Sequence, residues 1–300
     1  MVINMKNITS VILSIFLSAS LLLAQDNNST VDQLGDNNQA SANQTGNNNE
    51  AIQYQGYQML TSTESNAFIT QVGSDNLAFQ GQIGSSNSVT ISQDGDQNTG
   101  IQGQLGNSNE AIINHFSNAS NSVHLQAQIG DGNHADAQAR ADGNFGFQTQ
   151  IGKDNDSRIH QANRSNIAIT LQTGRENVAY SGQANLDEQY GLNVLTVNQH
   201  GNKNKSKIVQ LGLGNYSDVN QHGNSNVVRE DPTNAWSPGI NQKGDLNIAS
   251  VDQSGNGNYG MIHQTGDLNI GTISSTGMDH SGVIIQTGGM NDALITQSNN

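Results

Sequence analysis

The chain has no cysteine, only two prolines in 300 residues, and 4 % aromatics. Without cysteine there are no disulfides, thiolate metal sites, cysteine nucleophiles or lipidated N-terminal cysteine. Hydrophobic residues are 33 %, against roughly 45–50 % in an ordinary globular domain, too few to pack a conventional enzyme core. Basic residues are scarce too: 11 Lys and Arg face 25 Asp and Glu, a net charge of −14. That balance excludes a bulk electrostatic grip on nucleic acid and disfavours an anionic membrane surface. Charged residues total only 12 %, so charge repulsion, the usual source of disorder in such a chain, is weak. Amide fills the gap: 43 Asn and 31 Gln, about a quarter of the residues, accompany 33 Gly. Such a composition belongs to a disordered Asn/Gln-rich tract or to repetitive β structure built on polar ladders.

Residues 1–24 read as a secretory signal peptide. Lys6 supplies the basic n-region, and the apolar stretch Ile8–Leu23, broken by four serines, is short for a membrane span. Cleavage after Ala24 leaves a chain of charge −15, since Lys6 is lost and no acid is. A retained N-terminal anchor is the alternative. Export from the cytoplasm follows either way.

An eleven-residue repeat organises residues 25–300. Gln recurs at Gln33, Gln44, Gln82, Gln93, Gln150, Gln172, Gln210, Gln253, Gln264 and Gln286, among others. Two residues later stands Gly: Gly35, Gly46, Gly84, Gly95, Gly152, Gly174, Gly212, Gly255, Gly266 and Gly288. Three further on stands Asn: Asn38, Asn49, Asn87, Asn98, Asn155, Asn177, Asn215, Asn258, Asn269 and Asn291. Between Asn and the next Gln, alternate residues share a character, as in Asn87, Val89, Ile91 and Gln93. Period two means a strand with one face inward. Gln-x-Gly-x-x-Asn supplies the reversal, because Gly accepts positive φ and Asn tolerates the left-handed region.

One strand and turn cannot close a coil, but two can, giving 22 residues per coil. The expected fold is all-β: a two-sheet β-solenoid of about 11–12 coils and about 23 strands, on the order of 55 Å long at ~4.8 Å per coil. Equivalent inward amides then stack and form hydrogen-bonded ladders, and small residues such as Ala40, Ala51, Ala78, Ala168, Ala179 and Ala249 let the sheets approach. Five-residue excesses after Gln55 and Gln183 read as loops, and His115 occupies a Gln slot. Pro232, Pro238 and the single Trp236 mark an irregular loop at about 229–241.

These residues resemble the curlin family, the subunits of curli, extracellular amyloid fibres of bacterial biofilms. The curlin repeat, Ser-x5-Gln-x-Gly-x-Gly-Asn-x-Ala-x3-Gln, is visible at Gln33-Leu34-Gly35-Asp36-Asn37-Asn38-Gln39-Ala40 and at Gln128-Ile129-Gly130-Asp131-Gly132-Asn133-His134-Ala135, and the resemblance runs over about residues 27–297. The second Gly is usually replaced; only Gly132, Gly143, Gly214 and Gly257 fill it. The resemblance implies β-solenoid subunits, export through the periplasm and an outer-membrane secretion channel with periplasmic accessory proteins, and polymerisation at the cell surface with a related curli subunit acting as nucleator or polymer. It implies self as the main partner, no cofactor, and a role in adhesion and biofilm matrix. Neither nucleic-acid binding nor an integral membrane protein is expected.

Other readings weigh less. No nucleophile–base–acid constellation or metal site stands out, so the chain is not read as an enzyme. His200 and His222, 22 apart, form a stacked surface pair; a metal site there lacks a third ligand. Lys203, Lys205 and Lys207 read as an outward solvated face, and Asp94, Asp96, Asp131 and Asp154 as turn residues, not calcium ligands. Tyr54, Tyr57, Phe79, Phe116, Tyr180 and Tyr216 read as outward or loop residues. A monomeric extracellular solenoid binding ice or a carbohydrate surface is the alternative function. Against it, the residue after each repeat Gln runs Leu34, Thr45, Val72, Ile83, Asp94, Leu105, which is no regular array. Charge adds an expectation: assembly speeds up as pH falls toward the pI near 4.6.

Overall fold

The computed structural model describes residues 27–56, 61–184, 192–229 and 238–299; the expected signal peptide 1–24, Tyr57, Pro232 and Trp236 lie outside them. Among the described residues there are 25 strand segments and no helix. Apart from the short strand Ser62–Thr63 and one strand slot filled in two pieces, successive strands join alternate sheets. One sheet runs from Asn28–Gln33 to Asp292–Ser298, the other from Gln39–Thr45 to Ser281–Thr287. Neighbouring strands within each sheet are parallel. The product is a two-sheet β-solenoid of about 11 turns with roughly 22 residues per turn. The two sheets are called here the first and the second, in that order.

Repeat-equivalent residues face each other across each ladder, as Gln128↔Gln150 and Gln150↔Gln172 do. Insertions leave this register intact: Gln44 pairs with Gln71 and Gln221 with Gln253 although 27 and 32 residues separate them. The five-residue insertions leave at the corners, because a slip of one residue would turn every inward amide outward, whereas the insertion between Val228 and Ile240 splits a strand slot without shifting it. One strand slot is filled in two pieces, Val227–Val228 and Ile240–Lys243, bridged at Arg229↔Pro238. The strand therefore resumes at Ile240, inside the expected loop 229–241.

The interior changes along the axis. Toward the C-terminus, Leu195, Val197, Ile208, Val219, Ile240, Val251, Ile262, Ile273 and Ile284 form one aliphatic core. Toward the N-terminus, Gln53, Gln80, Gln102, Gln126 and Gln148 occupy the slot that Val197, Val219 and Val251 fill later, and the core shrinks to Ala51, Ile69, Ala78, Ile91, Ile113 and Ala137.

The corners explain the glycines. At the repeat Gly, φ lies between 103° and 132°, and a Cβ at Gly84 would stand 2.0 Å from the Gly106 carbonyl oxygen of the next coil. Two residues on, where the curlin repeat has its second Gly, the backbone is left-handed whether or not Gly is there: Gly132 has φ 65°, Asn37 56° and Leu268 61°. Leucine in that region is strained by about 1 kcal/mol, and Leu268 is 42 % exposed, with little packing to lose. Leu268→Gly should therefore stabilise the fold, by about 0.5–1 kcal/mol in urea unfolding. A destabilisation of similar size would show that the strain is relieved elsewhere.

Candidate functional site: the amide ladders and the open ends

The inward Gln side chains form one row per sheet, interrupted at Ser275 in the first and at His115 and Ala139 in the second. In the first sheet the Nε2 of each Gln donates to the Oε1 of the next: Gln82 to Gln104 at 3.2 Å, Gln128 to Gln150 at 2.8 Å, Gln150 to Gln172 at 2.8 Å, Gln172 to Gln199 at 2.9 Å, Gln221 to Gln253 at 2.9 Å. In the second, Gln44 donates to Gln71, Gln71 to Gln93, Gln210 to Gln242, and Gln264 to Gln286. The same Nε2 also donates across the interior: Gln150 reaches the His134 carbonyl at 2.8 Å and Gln264 that of Ile248 at 2.9 Å. Each Gln thus stacks the coils and clamps the two sheets.

The Asn side chains build a row at each corner, running the other way. Asn155 donates its backbone N–H and Nδ2 to Asn133 Oδ1, and Asn177 does the same to Asn155. Asn98 follows Asn76, Asn247 follows Asn215, Asn258 follows Asn226, Asn269 follows Asn247 and Asn291 follows Asn269. Nδ2 of Asn49, Asn87 and Asn215 binds the carbonyl of Gly73, Gly106 and Gly244. Asn38 Nδ2 instead meets the Ser62 carbonyl, where a five-residue insertion arrives.

A third row, Gln53–Gln80–Gln102–Gln126–Gln148, was visible as Gln-x-Gln but not singled out from sequence. It begins on a deficit: Gln53 Oε1 is buried without a donor, because Val31 precedes it in the ladder.

The second-sheet row breaks at His115 and Ala139. His115 Nε2 lies 2.7 Å from His124 Nδ1, and His124 Nε2 3.0 Å from Gln161 Oε1. Gln161 spends its amide hydrogens on Phe145, Asn166 and Gln183, so its Oε1 accepts from His124. His124 Nδ1 must then accept from His115, and both rings are neutral. His115 Nδ1 is left as a buried acceptor without a donor. Burial pushes the pKa of His115 well down, helped by His124; burial likewise lowers His124 to about 4. Gly100 and Gly146 flank His124 in its sheet, and a Cβ at Gly146 would come within 2.2 Å of the ring.

Outside, the second sheet carries charge. His134 sits between Glu110 and Asp156 of adjacent coils, 3.8 and 3.2 Å away, and Arg158 also pairs with Asp156. The hydrogen bond to Asp156 raises the His134 pKa; burial pulls Asp156 upward, but His134 and Arg158 hold it below its ordinary value.

Several outward expectations need correction. Phe79 is buried, 2 % exposed, against Tyr54 at 5.8 Å between centroids, where the insertion strand Ser62–Thr63 pairs with Gly84–Ser85 of the strand bearing it. Lys203 is not on the strand but in the turn, at φ 59°, 3.8 Å from Glu176. Lys207 is buried, its ammonium 5.1 Å from the Tyr180 ring; burial and then Arg229 lower its pKa. His200 and His222 stack at 5.7 Å, exposed, and among the described residues no three His, Cys, Asp or Glu converge to hold a metal. Among the same residues no helix is long and apolar enough to cross a membrane.

Fold and rows define a parallel β-solenoid held by amide ladders. The chain carries the curlin associated repeat, whose family model matches residues 63–95 and 84–114, and this match supports its assignment to the curlin family. Comparison with curated proteins finds no match.

Proposed function

We propose that the chain is a secreted structural subunit of curli-like amyloid fibres, serving adhesion and biofilm matrix, that assembles by adding strands to its open ends. The observation that carries this reading is the polarity of the ladders. Gln rows donate toward the C-terminal coil and Asn rows toward the N-terminal coil. Among the described residues, the first coil therefore presents Gln33 and Gln44 as acceptors, and in the last coil Gln286 and Gln297 have no following amide to receive their N–H. Meanwhile Asn291 Oδ1 is open to a donor from a following coil. The two ends are complementary to each other and not to themselves. Among the described residues, strands Asn28–Gln33, Gln39–Thr45, Ser281–Thr287 and Asp292–Ser298 each pair on one side only, leaving backbone groups to template a neighbour. Head-to-tail stacking extends every ladder without new architecture.

The candidate ladder and turn residues act in this reading as the repeating contact between coils, within and between subunits. The segment 1–24 directs export, an outer-membrane channel and periplasmic accessory proteins carry the chain outward, and a related curli subunit is a further partner. The role is structural, and no catalytic group or cofactor is assigned.

Purified residues 25–300 should form thioflavin-positive fibres and elongate from preformed seeds. Leu294→Pro/Ile295→Pro removes ladder donors from the terminal strand while leaving the coils before it to stack on each other. That variant should fold but fail to elongate. A persistently soluble wild-type monomer, or unimpaired growth of the proline variant, would overturn the reading.

A further inference from the structure

Both sheets have an outer face, and over the same coils the two faces differ in chemistry. On the second sheet the outward residues include Glu110, His134, Asp136, Asp156, Arg158 and His160, linked by ion pairs. On the first sheet, strands Thr99–Asn107, Val123–Asp131, Phe145–Lys153 and Ile167–Arg175 lie in register. From their first residue to the seventh, their outward positions carry no charge. Ile101, Leu125, Phe147 and Ile169 stack into one ridge along the axis, and Leu105, Ile129 and Ile151 into a second. Between the ridges, Gly103, Ala127 and Thr149 form a groove that Leu171 closes in the fourth coil, and a Cβ added at Gly103 would meet nothing within 4 Å. Most of these side chains are half-exposed, and Leu171 is 38 % exposed.

We propose that this face of the first sheet binds a second copy of the chain, face to face. Shape and periodicity both favour that occupant. A half-turn about an axis parallel to the solenoid sets each copy's Ile101, Leu125 and Phe147 into the other's Gly103–Thr149 groove and brings Ile169 against the other's Leu171. The pair is isologous, and both solenoids keep the same direction. Only another face with the same coil spacing matches the ridge residue for residue, as dry interdigitated sheets about 10 Å apart require. Seven residues by four coils give a footprint of about 400–500 Å² per copy, so the pair buries about 800–1,000 Å², the size of a weak, transient interface. Val194 and Tyr216 continue the outer row beyond Ile167 and lengthen the contact. The pairing is a property of the folded chain and does not depend on growth at the ends.

The chain has no cysteine, so a single introduced thiol is unique. Thr149→Cys places it in the groove near the two-fold axis; Ser92→Cys places it outward on the second sheet. A bis-maleimide of about 10 Å, matching the sheet-to-sheet distance, should yield about tenfold more covalent dimer from Thr149→Cys than from Ser92→Cys. Adding Leu125→Lys and Phe147→Lys to Thr149→Cys should abolish that dimer while circular dichroism stays that of the folded solenoid. Equal yields from the two faces, or no dimer from either, would overturn the proposal. So would flotation of the chain with phosphatidylcholine vesicles that is lost with the two lysines while cross-linking is absent, which assigns the face to lipid. In fibres, the lysine variant should elongate at the wild-type rate but be one solenoid wide; two-solenoid fibres from that variant count against the pairing. Absence of any fibre bears on end-to-end assembly alone, because the cross-link is read on the soluble chain.

Discussion

A chain carrying Gln150→Leu should lose about 2–6 kcal/mol of stability in urea unfolding, although the two side chains have similar volume. Gln150 is fully buried and makes three bonds that leucine cannot replace: it accepts from Gln128, donates to Gln172 and donates across the interior to the His134 carbonyl. Its removal leaves Gln172 Oε1 and one Nε2 hydrogen of Gln128 unpaired in the interior, each worth about 1–3 kcal/mol, while the His134 carbonyl keeps its place in the strand ladder and Gln128 keeps its bond to Glu110. The same change at Gln33 should cost about half as much, about 1–3 kcal/mol, since that side chain is exposed and its loss leaves only Gln55 Oε1 without a donor. Equal costs at the two positions would mean that the rows decorate a fold held by something else.

The large interior effect explains a composition too poor in apolar residues for an ordinary core. Asn and Gln are abundant because they occupy fixed inward and corner positions, where each amide is satisfied by the coil before and the coil after. The eleven-residue spacing made this legible, since period two and period 22 together dictate which residues stack. What escaped was whatever depends on comparing one sheet with the other. Read in chain order, the residues after each repeat Gln, Leu34, Thr45, Val72, Ile83, Asp94 and Leu105, look irregular because successive copies belong to alternate faces. Taken within one sheet they become Ile83, Leu105, Ile129 and Ile151, a continuous apolar row. Phe79 and Lys207 escaped for another reason: both are outward by strand parity, yet Phe79 packs against Tyr54 and Lys207 against the Tyr180 ring of the neighbouring coil. His115 was visible as an odd residue in a Gln slot. Its partner was not, because His124 sits in a small-residue slot, and only the glycines above and below it, Gly100 and Gly146, betray the space for a ring.

That histidine pair makes acid the second strong lever. Folded, His115 and His124 are neutral and refuse protons that the unfolded chain takes up below its ordinary histidine pKa near 6.5. Stability is therefore complete above about 6.5, falls as pH drops through the window down to about 4, and loses no more from His124 below that. With His124 near 4, the loss is about 3 kcal/mol from that ring alone. The double variant His115→Gln/His124→Gly restores the repeat's own residue and matches Gly100 and Gly146, so its unfolding midpoint should change far less between pH 7 and pH 4. Acid acts on assembly in the opposite direction, since approach to the pI near 4.6 removes repulsion between subunits of charge −15. Wild-type growth should then gain from faster encounter while its coils around residues 115–124 loosen, whereas the variant keeps only the gain. Seeded growth measured from pH 7 to 4 should accelerate more steeply in the variant; identical profiles, with identical unfolding midpoints, would show that the buried pair does not titrate in this range.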